Sequence, residues 1–163
     1  MPRSVIGIIT LLLPMCAGAQ DVTFTVRLMT LETATQAARA ALESCRTSGF
    51  QVAVAVVDRS GVTQVLLRDR FAGPHTVDMA IDKAWTAASF RTNTSALAEA
   101  TEPGKALSGL RARPRVVAVG GGIVIEGGGA LLGAIGVSGA PGGDHDDMCA
   151  RAGIAAIQQN VDF

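Results

Sequence analysis

The sequence predicts an α+β domain in which an antiparallel β-sheet is flanked by helices. Segments with apolar residues at helical spacing are interspersed with short β-branched or alternating segments along the chain. Short polar or glycine-rich turns at 58–61 and 126–129 join neighbouring strand segments directly, which favours antiparallel pairing. The hydrophobic fraction of 48% is enough for one core, and the predicted order of elements is α-β-β-α-α-β-β-α.

The first helix is predicted to begin after Thr30 and to end at Gly49. Threonine is a favourable N-cap residue, and glycine commonly follows the end of a helix. A strand is expected before this helix, because residues 22–28 alternate apolar and polar side chains. The helical spacing predicts a buried face formed by Ala34, Ala37, Ala38, Ala41, Leu42 and Cys45.

Two strands and two helices are predicted next. The β-branched run 50–57 indicates a central strand covered on both faces, and residues 62–68 are expected to return antiparallel to it. A second helix begins with Thr76 as its cap, and a short third helix begins at Asn93 or Thr94. The predicted buried face of the second helix is formed by Val77, Ala80, Ile81, Ala84, Trp85 and Ala88.

Glycine runs separate the elements in the last third of the chain. Strands are predicted at 115–119, 123–125 and 130–137, and Asp144 is suited to cap a final helix. The glycine run 120–122 leads into a strand rather than a helix, so it does not match the dinucleotide-binding fingerprint. We expect a bulge or a close backbone contact at this run instead.

Residues 1–19 are predicted to be a cleaved signal peptide, followed by a single domain over residues 20–163. Arg3 supplies a positive charge, an apolar run of about a dozen residues follows, and Ala19 completes a small-residue cleavage site. The apolar run is too short to span a bilayer. Lipid attachment at Cys16 is an alternative. We therefore expect a periplasmic or secreted protein without stable membrane insertion.

Charge and cysteine content narrow the classes of function. The 14 basic and 14 acidic residues cancel without forming a basic cluster, which argues against nucleic-acid binding. After export, Cys45 and Cys149 would either form one disulfide or remain two separate buried cysteines. The sequence contains no nucleophile elbow and no zinc-type cysteine spacing, so support for an enzymatic function is weak.

Two histidines and one lysine are the residues best suited to binding chemistry. His75 precedes the predicted cap of the second helix, where the positive end of the helix dipole favours a neutral, ligating imidazole. An ordinary surface histidine is the alternative. Lys83 lies off the predicted apolar face of the same helix and is either solvated or a partner for an anionic ligand. The acidic run around His145 (144–147) is interpreted as helix capping, with a hard-cation site as the alternative.

Several sequence blocks occur together in a characteristic order. They are Val56-Val57-Asp58, Ala72-Gly73-Pro74-His75-Thr76, Lys83-Ala84-Trp85-Thr86-Ala87, Gly120-Gly121-Gly122, the stretch 133–140 and the closing stretch 143–153. In these blocks, residues 31–157 resemble the GlcG/HbpS-type haem-binding protein family. The resemblance implies an α-β-α domain that assembles into even-numbered homo-oligomers, often octamers, and non-covalent haem binding in the secreted branch.

The resemblance also suggests which residues contact haem. His75 is the candidate axial ligand of the iron, because an imidazole is a better iron ligand than a neutral hydroxyl. Thr94 is the best match for the threonine that is associated with haem ligation in a related secreted sequence type. The candidate apolar walls for the porphyrin are Phe71, Trp85 and Phe90. The candidate cations for the propionates are Arg70, Lys83 and Arg91.

We therefore expect an exported, oligomeric haem-binding protein that stores, traffics or reports haem. One alternative is a small-molecule enzyme, or an enzyme accessory subunit, in which His75 and Lys83 handle an anionic metabolite. A purely structural oligomer is a further alternative. Soret absorbance after titration with haem would separate the first hypothesis from the other two.

Overall fold

The computed structural model describes residues 22–162, so the expected signal peptide and its cleavage site lie outside the described residues. The main elements follow the predicted order, with a 3₁₀ helix and a short C-terminal helix in addition. Their bounds are α1 (Leu31–Thr47), β1 (Ala53–Asp58), β2 (Thr63–Arg68), α2 (Thr76–Phe90), α3 (Thr94–Ala100), the 3₁₀ helix (Ser108–Ala112), β3 (Gly122–Gly127), β4 (Ala130–Ser138), α4 (Gly143–Ala155) and α5 (Gln158–Val161).

The four strands form one antiparallel sheet in the order β2-β1-β4-β3. Alternate residues of β1 point to opposite faces of this sheet. Val54 and Val56 pack into the large core beneath α1 and α4, whereas Ala55 and Val57 pack beneath α2. The structure thus confirms the predicted α+β class, with two helices on one face and one long helix on the other.

Glycines allow α2 to lie unusually close to the sheet. A Cβ atom added at Gly136 would lie 2.0 Å from the carbonyl oxygen of Ala80, and one added at Gly122 would lie 2.4 Å from that of Lys83. Any side chain at either position would therefore push the helix away. This confirms the close backbone contact predicted for the 120–122 run, and it brings the middle of α2 next to the ends of β3 and β4.

A disulfide joins the two helices on the opposite face. Cys45 of α1 and Cys149 of α4 are bonded, with their Cα atoms 5.4 Å apart, and both are fully buried. Gly153 lets these helices approach, since a Cβ atom there would lie 2.6 Å from the Ala37 carbonyl oxygen. Of the two interpretations that the sequence left open for these cysteines, the structure supports the bridge.

Two predicted strands are absent from the described chain. Residues 22–28 form neither strand nor helix, and their apolar side chains are exposed rather than half-buried. Residues 115–119 are also irregular. Thr86 explains the second difference, because its hydroxyl donates to the Arg115 carbonyl and accepts the Val117 N–H. These bonds tie the segment to α2 instead of to a neighbouring strand.

Two predicted helix caps are shifted. His75 itself occupies the N-cap position of α2, and the Thr76 hydroxyl donates to the Gly73 carbonyl instead of capping the helix. Gly142 occupies the N-cap position of α4, which places Asp144 within the first turn. The Thr30 prediction was correct, since its Oγ1 accepts the Thr33 N–H at the start of α1.

Candidate functional site

Helix α2 divides the predicted site residues among three places. Arg70, Phe71 and His75 precede its first turn, and Arg91 and Thr94 follow its last turn. Its 15 residues span about 22 Å at 1.5 Å per residue. His75 and Thr94 of one subunit therefore cannot both coordinate the same iron atom. Lys83, the eighth residue, lies in the middle of the helix.

The loop that carries His75 is held by several hydrogen bonds. The Ala72 N–H donates to the Asp69 carbonyl at 3.1 Å, and Thr76 Oγ1 donates to the Gly73 carbonyl at 2.7 Å. Asp69 is itself buried and pairs with Arg46, with Nη2 and Oδ1 2.7 Å apart. The backbone of this loop is therefore fixed to both β2 and α1, although most of its side chains face solvent.

The His75 imidazole is exposed and packs over Gly73. A Cβ atom at Gly73 would lie 2.9 Å from Nδ1 but 3.7 Å from Nε2, so Nε2 is the ring nitrogen farther from Gly73. Phe71 is 81% exposed on the same loop, and Arg70 is also exposed. An imidazole, an uncovered aromatic ring and a guanidinium are thus presented by one six-residue stretch.

Thr94 is fully buried at the other end of α2. Its Oγ1 accepts the Gly122 N–H at 2.8 Å, and the neighbouring Asn93 Oδ1 accepts the Val124 N–H at 3.2 Å. Both donors belong to β3, the last strand of the sheet, so the start of α3 covers the outer edge of this strand. Arg91 is exposed nearby and ends α2 in the left-handed conformation (φ 51°).

Lys83 is neither solvated nor open to an anionic ligand such as a propionate, which corrects the roles predicted for it. It is 2% exposed, and its Nζ lies 2.6 Å from Asp146 Oδ2 and 3.0 Å from the Val137 carbonyl oxygen. Gly121 covers the pair, since a Cβ atom there would lie 2.8 Å from the lysine Nζ. The ion pair therefore connects α2 to α4 past the end of the sheet, and the ammonium does not face the His75 loop.

Asp146 is the residue that the sequence interpretation missed. It lies in the run interpreted as helix capping, yet it is only 3% exposed and also accepts the Ala140 N–H through Oδ1 at 3.1 Å. Burial raises the pKa of its carboxyl, while the Lys83 ammonium and the Ala140 N–H oppose this rise. The adjacent Asp147 accepts the Gly121 N–H, so the acidic run organises the glycine run.

The described residues contain neither a cluster of metal-ligating side chains nor a helix that could span a membrane. Within residues 22–162, no three histidine, cysteine, aspartate or glutamate side chains are grouped to hold a metal ion. A haem iron has a different requirement, because the porphyrin supplies four nitrogens and the protein adds only axial ligands. None of the described helices is long and apolar enough to cross a membrane.

Comparison with known proteins identifies the family. A family model described as haem degrading protein HbpS-like matches residues 29–155. This chain belongs to the HbpS-like family. Its structure is similar to a crystal structure of a double mutant of HbpS from Streptomyces reticuli, at 42% identity and a TM-score of 0.79. The similarity covers 86% of this chain and 94% of that one, and the family resemblance read from the sequence is confirmed.

One similar protein is much longer than this chain. The corrinoid adenosyltransferase PduO of Salmonella typhimurium is 38% identical over 125 residues, which is 75% of this chain but 37% of PduO. This chain thus spans little more than a third of that relative. A crystal structure of a PduOC:heme complex is similar at 34% identity and a TM-score of 0.76, covering 80% of this chain and 96% of that one.

Proposed function

We propose that this chain is an exported haem-binding protein that stores, traffics or reports haem. The exposed imidazole of His75 at the start of α2 is the observation that carries the proposal. The family description and the haem complex of PduOC support it. The alternative of an enzyme or accessory subunit acting on an anionic metabolite gains no support, because Lys83 is paired with Asp146.

The residues around His75 fit the chemistry of haem. The imidazole of His75 is exposed at the start of α2, and imidazole is a common axial ligand of haem iron. Phe71 offers an uncovered aromatic surface to the porphyrin, and Arg70 offers a cation to a propionate. Bound haem would supply an iron centre for ligand binding or electron transfer. The buried Thr94 already binds the Gly122 backbone, so His75 is the stronger candidate for the axial ligand.

Replacement of His75 tests this assignment. We expect His75→Ala to weaken haem binding by at least about 10- to 100-fold, the loss typical even for residues that only support a metal ligand, and to shift the Soret band. Titration with haem, followed by absorbance, measures both effects. His145→Ala is the matched control. This other histidine lies in α4, on the opposite face of the sheet from α2, and packs edge-on against Phe50, so its replacement should leave the spectrum unchanged.

The same titration examines threonine ligation. Thr94→Val removes the hydroxyl but keeps the side-chain shape, and we expect it to retain the Soret band of the wild type. If Thr94→Val loses haem while His75→Ala binds it with an unchanged spectrum, threonine is the ligand and our assignment is wrong. Thermal unfolding of each variant shows whether a spectral change reflects the site or the loss of the Gly122 contact.

Export is tested by the N-terminus of the mature protein. Because the small-residue site ends at Ala19, we expect protein from the cell envelope to begin at Gln20. Intact-mass measurement of the native protein reads this directly. Recovery of cytosolic protein that retains Met1 would contradict export. A lipid-modified chain that begins at Cys16 would instead show an exported protein anchored through lipid at that cysteine.

A further inference from the structure

The segment 22–28, which precedes α1, exposes a row of apolar side chains. Val22 is 96% exposed and Phe24 is 88% exposed, and Val26 and Leu28 continue the alternation. This spacing of two places all four on one side of an extended chain. We call the segment 22–28 the N-terminal arm. A row of large apolar groups facing water is typical of a binding surface rather than of a finished monomer.

The two edges of the sheet differ in their ability to accept another strand. At the β3 edge, the Gly122 and Val124 N–H groups are already bound by Thr94 and Asn93. At the β2 edge, the Asp69 N–H donates inward to the Val52 carbonyl, so by strand alternation the backbone of Leu66 points outward. Within residues 22–162, no hydrogen bond covers the Leu66 N–H, and its side chain is 40% exposed.

A groove runs beside this open edge. It has a volume of about 340 Å³ and lies between α1 and β2. Leu42 and Leu67 form its apolar floor, and the charged side chains at its rim are Arg39, Glu43 and Arg46. A strand added to β2 would direct alternate side chains toward this groove, because Val65 and Leu67 of β2 themselves point to the α1 face.

The arm of the same subunit is poorly placed to fill its own groove. Met29 anchors the end of the arm over β4, where its Cε lies 3.1 Å from a Cβ position on Gly133. A position beyond β2 is three strand spacings away, or about 14 Å, and the path crosses α1. Seven extended residues span about 23 Å at most, so only about three would remain to pair with β2.

We propose that the N-terminal arm of one subunit pairs with β2 of a second copy of this chain and inserts Phe24 into the groove between α1 and β2. Backbone hydrogen bonds to the β2 edge supply the pairing, and the apolar side chains of the arm cover Leu42 and Leu67. Reciprocal exchange between two copies gives a closed dimer. The inference is independent of haem binding and names a contact for the even-numbered oligomer expected from the family resemblance.

Light scattering of the purified mature protein tests the exchange. The wild type is expected to have the mass of a dimer or of a multiple of it, and Phe24→Asp is expected to have at most half of the wild-type mass at the same concentration. Thr25→Asp is the matched control, because it places the same charge on the neighbouring residue, on the other side of the arm. It should keep the wild-type mass.

A second variant identifies the surface that receives the arm. Leu66→Pro removes the outward N–H and should also give at most half of the wild-type mass. If circular dichroism shows that this variant is unfolded, Leu66→Lys takes its place, because it keeps the backbone and adds an edge charge that opposes pairing. A monomeric wild type, an unchanged mass for Phe24→Asp, or a wild-type mass for the folded Leu66 variant would each overturn the proposal.

Discussion

Replacement of Lys83 by methionine is expected to lower the free energy of unfolding by about 3–5 kcal/mol, the typical cost of breaking a buried ion pair. Methionine is similar in length, so the main change is the loss of charge opposite Asp146. The aspartate would then be left 3% exposed with only the Ala140 N–H as a hydrogen-bond partner. Denaturation with urea, analysed at a constant m-value, measures the loss.

The size of this loss should depend on pH. Burial already raises the pKa of Asp146, and removal of the Lys83 ammonium takes away a group that opposes the rise. Because the folded-state pKa then lies above the unfolded value of about 3.9, the folded variant binds the proton more tightly than the unfolded chain. The deficit of Lys83→Met relative to the wild type should therefore be smallest in acid and should grow as the pH rises through the folded pKa of Asp146.

Two further variants separate the ion pair from its surroundings. Combining Lys83→Met with Asp146→Asn removes both charges but keeps an oxygen for the Ala140 N–H, so it should be more stable than Lys83→Met alone and should lack its pH dependence. Lys105→Met breaks an exposed pair with Glu102 and should leave stability almost unchanged. A loss below about 1 kcal/mol for Lys83→Met would refute the structural role of the pair.

Lys83 also shows why part of the structure was hidden in the sequence. Hydrophobic periodicity placed Val77, Ile81 and Trp85 on the buried face of α2, but these three are only partly buried. The face that meets the sheet contains Ala80 and Ala84, since glycines such as Gly136 bring the helix too close there for larger side chains, while Lys83 reaches past the end of the sheet. Alanine contributes little to a hydrophobic pattern, and the partner Asp146 is 63 residues away in the chain.

The elements that could be predicted are those with local signals. The capping hydroxyl of Thr30, the alanine face of α1 and the turn at 58–61 all depend on nearby residues, and the structure contains each of them. The irregular segment 115–119 depends instead on the distant Thr86 hydroxyl. The candidate site followed the same rule: the sequence located the His75 loop, but only the fold shows that α2 separates it from Thr94.

Loss of the Cys45–Cys149 bridge is expected to lower the free energy of unfolding by about 2–4 kcal/mol. The two cysteines are 104 residues apart, so the bond closes a loop of most of the domain and restricts the unfolded chain strongly. Both are fully buried, so alanine is the better replacement than serine, which would bury a hydroxyl. Denaturant unfolding of Cys45→Ala/Cys149→Ala against the oxidised wild type measures the difference.

Reduced wild-type protein is the control that separates the cross-link from the packing of the two side chains. It has the wild-type sequence without the bridge, so its midpoint should lie close to that of the double alanine variant and well below that of the oxidised protein. Two titratable thiols in the unfolded, unreduced protein would contradict the bridge itself. Because thiols stay reduced in the cytosol, the full stability of this fold would be reached only in an oxidising compartment.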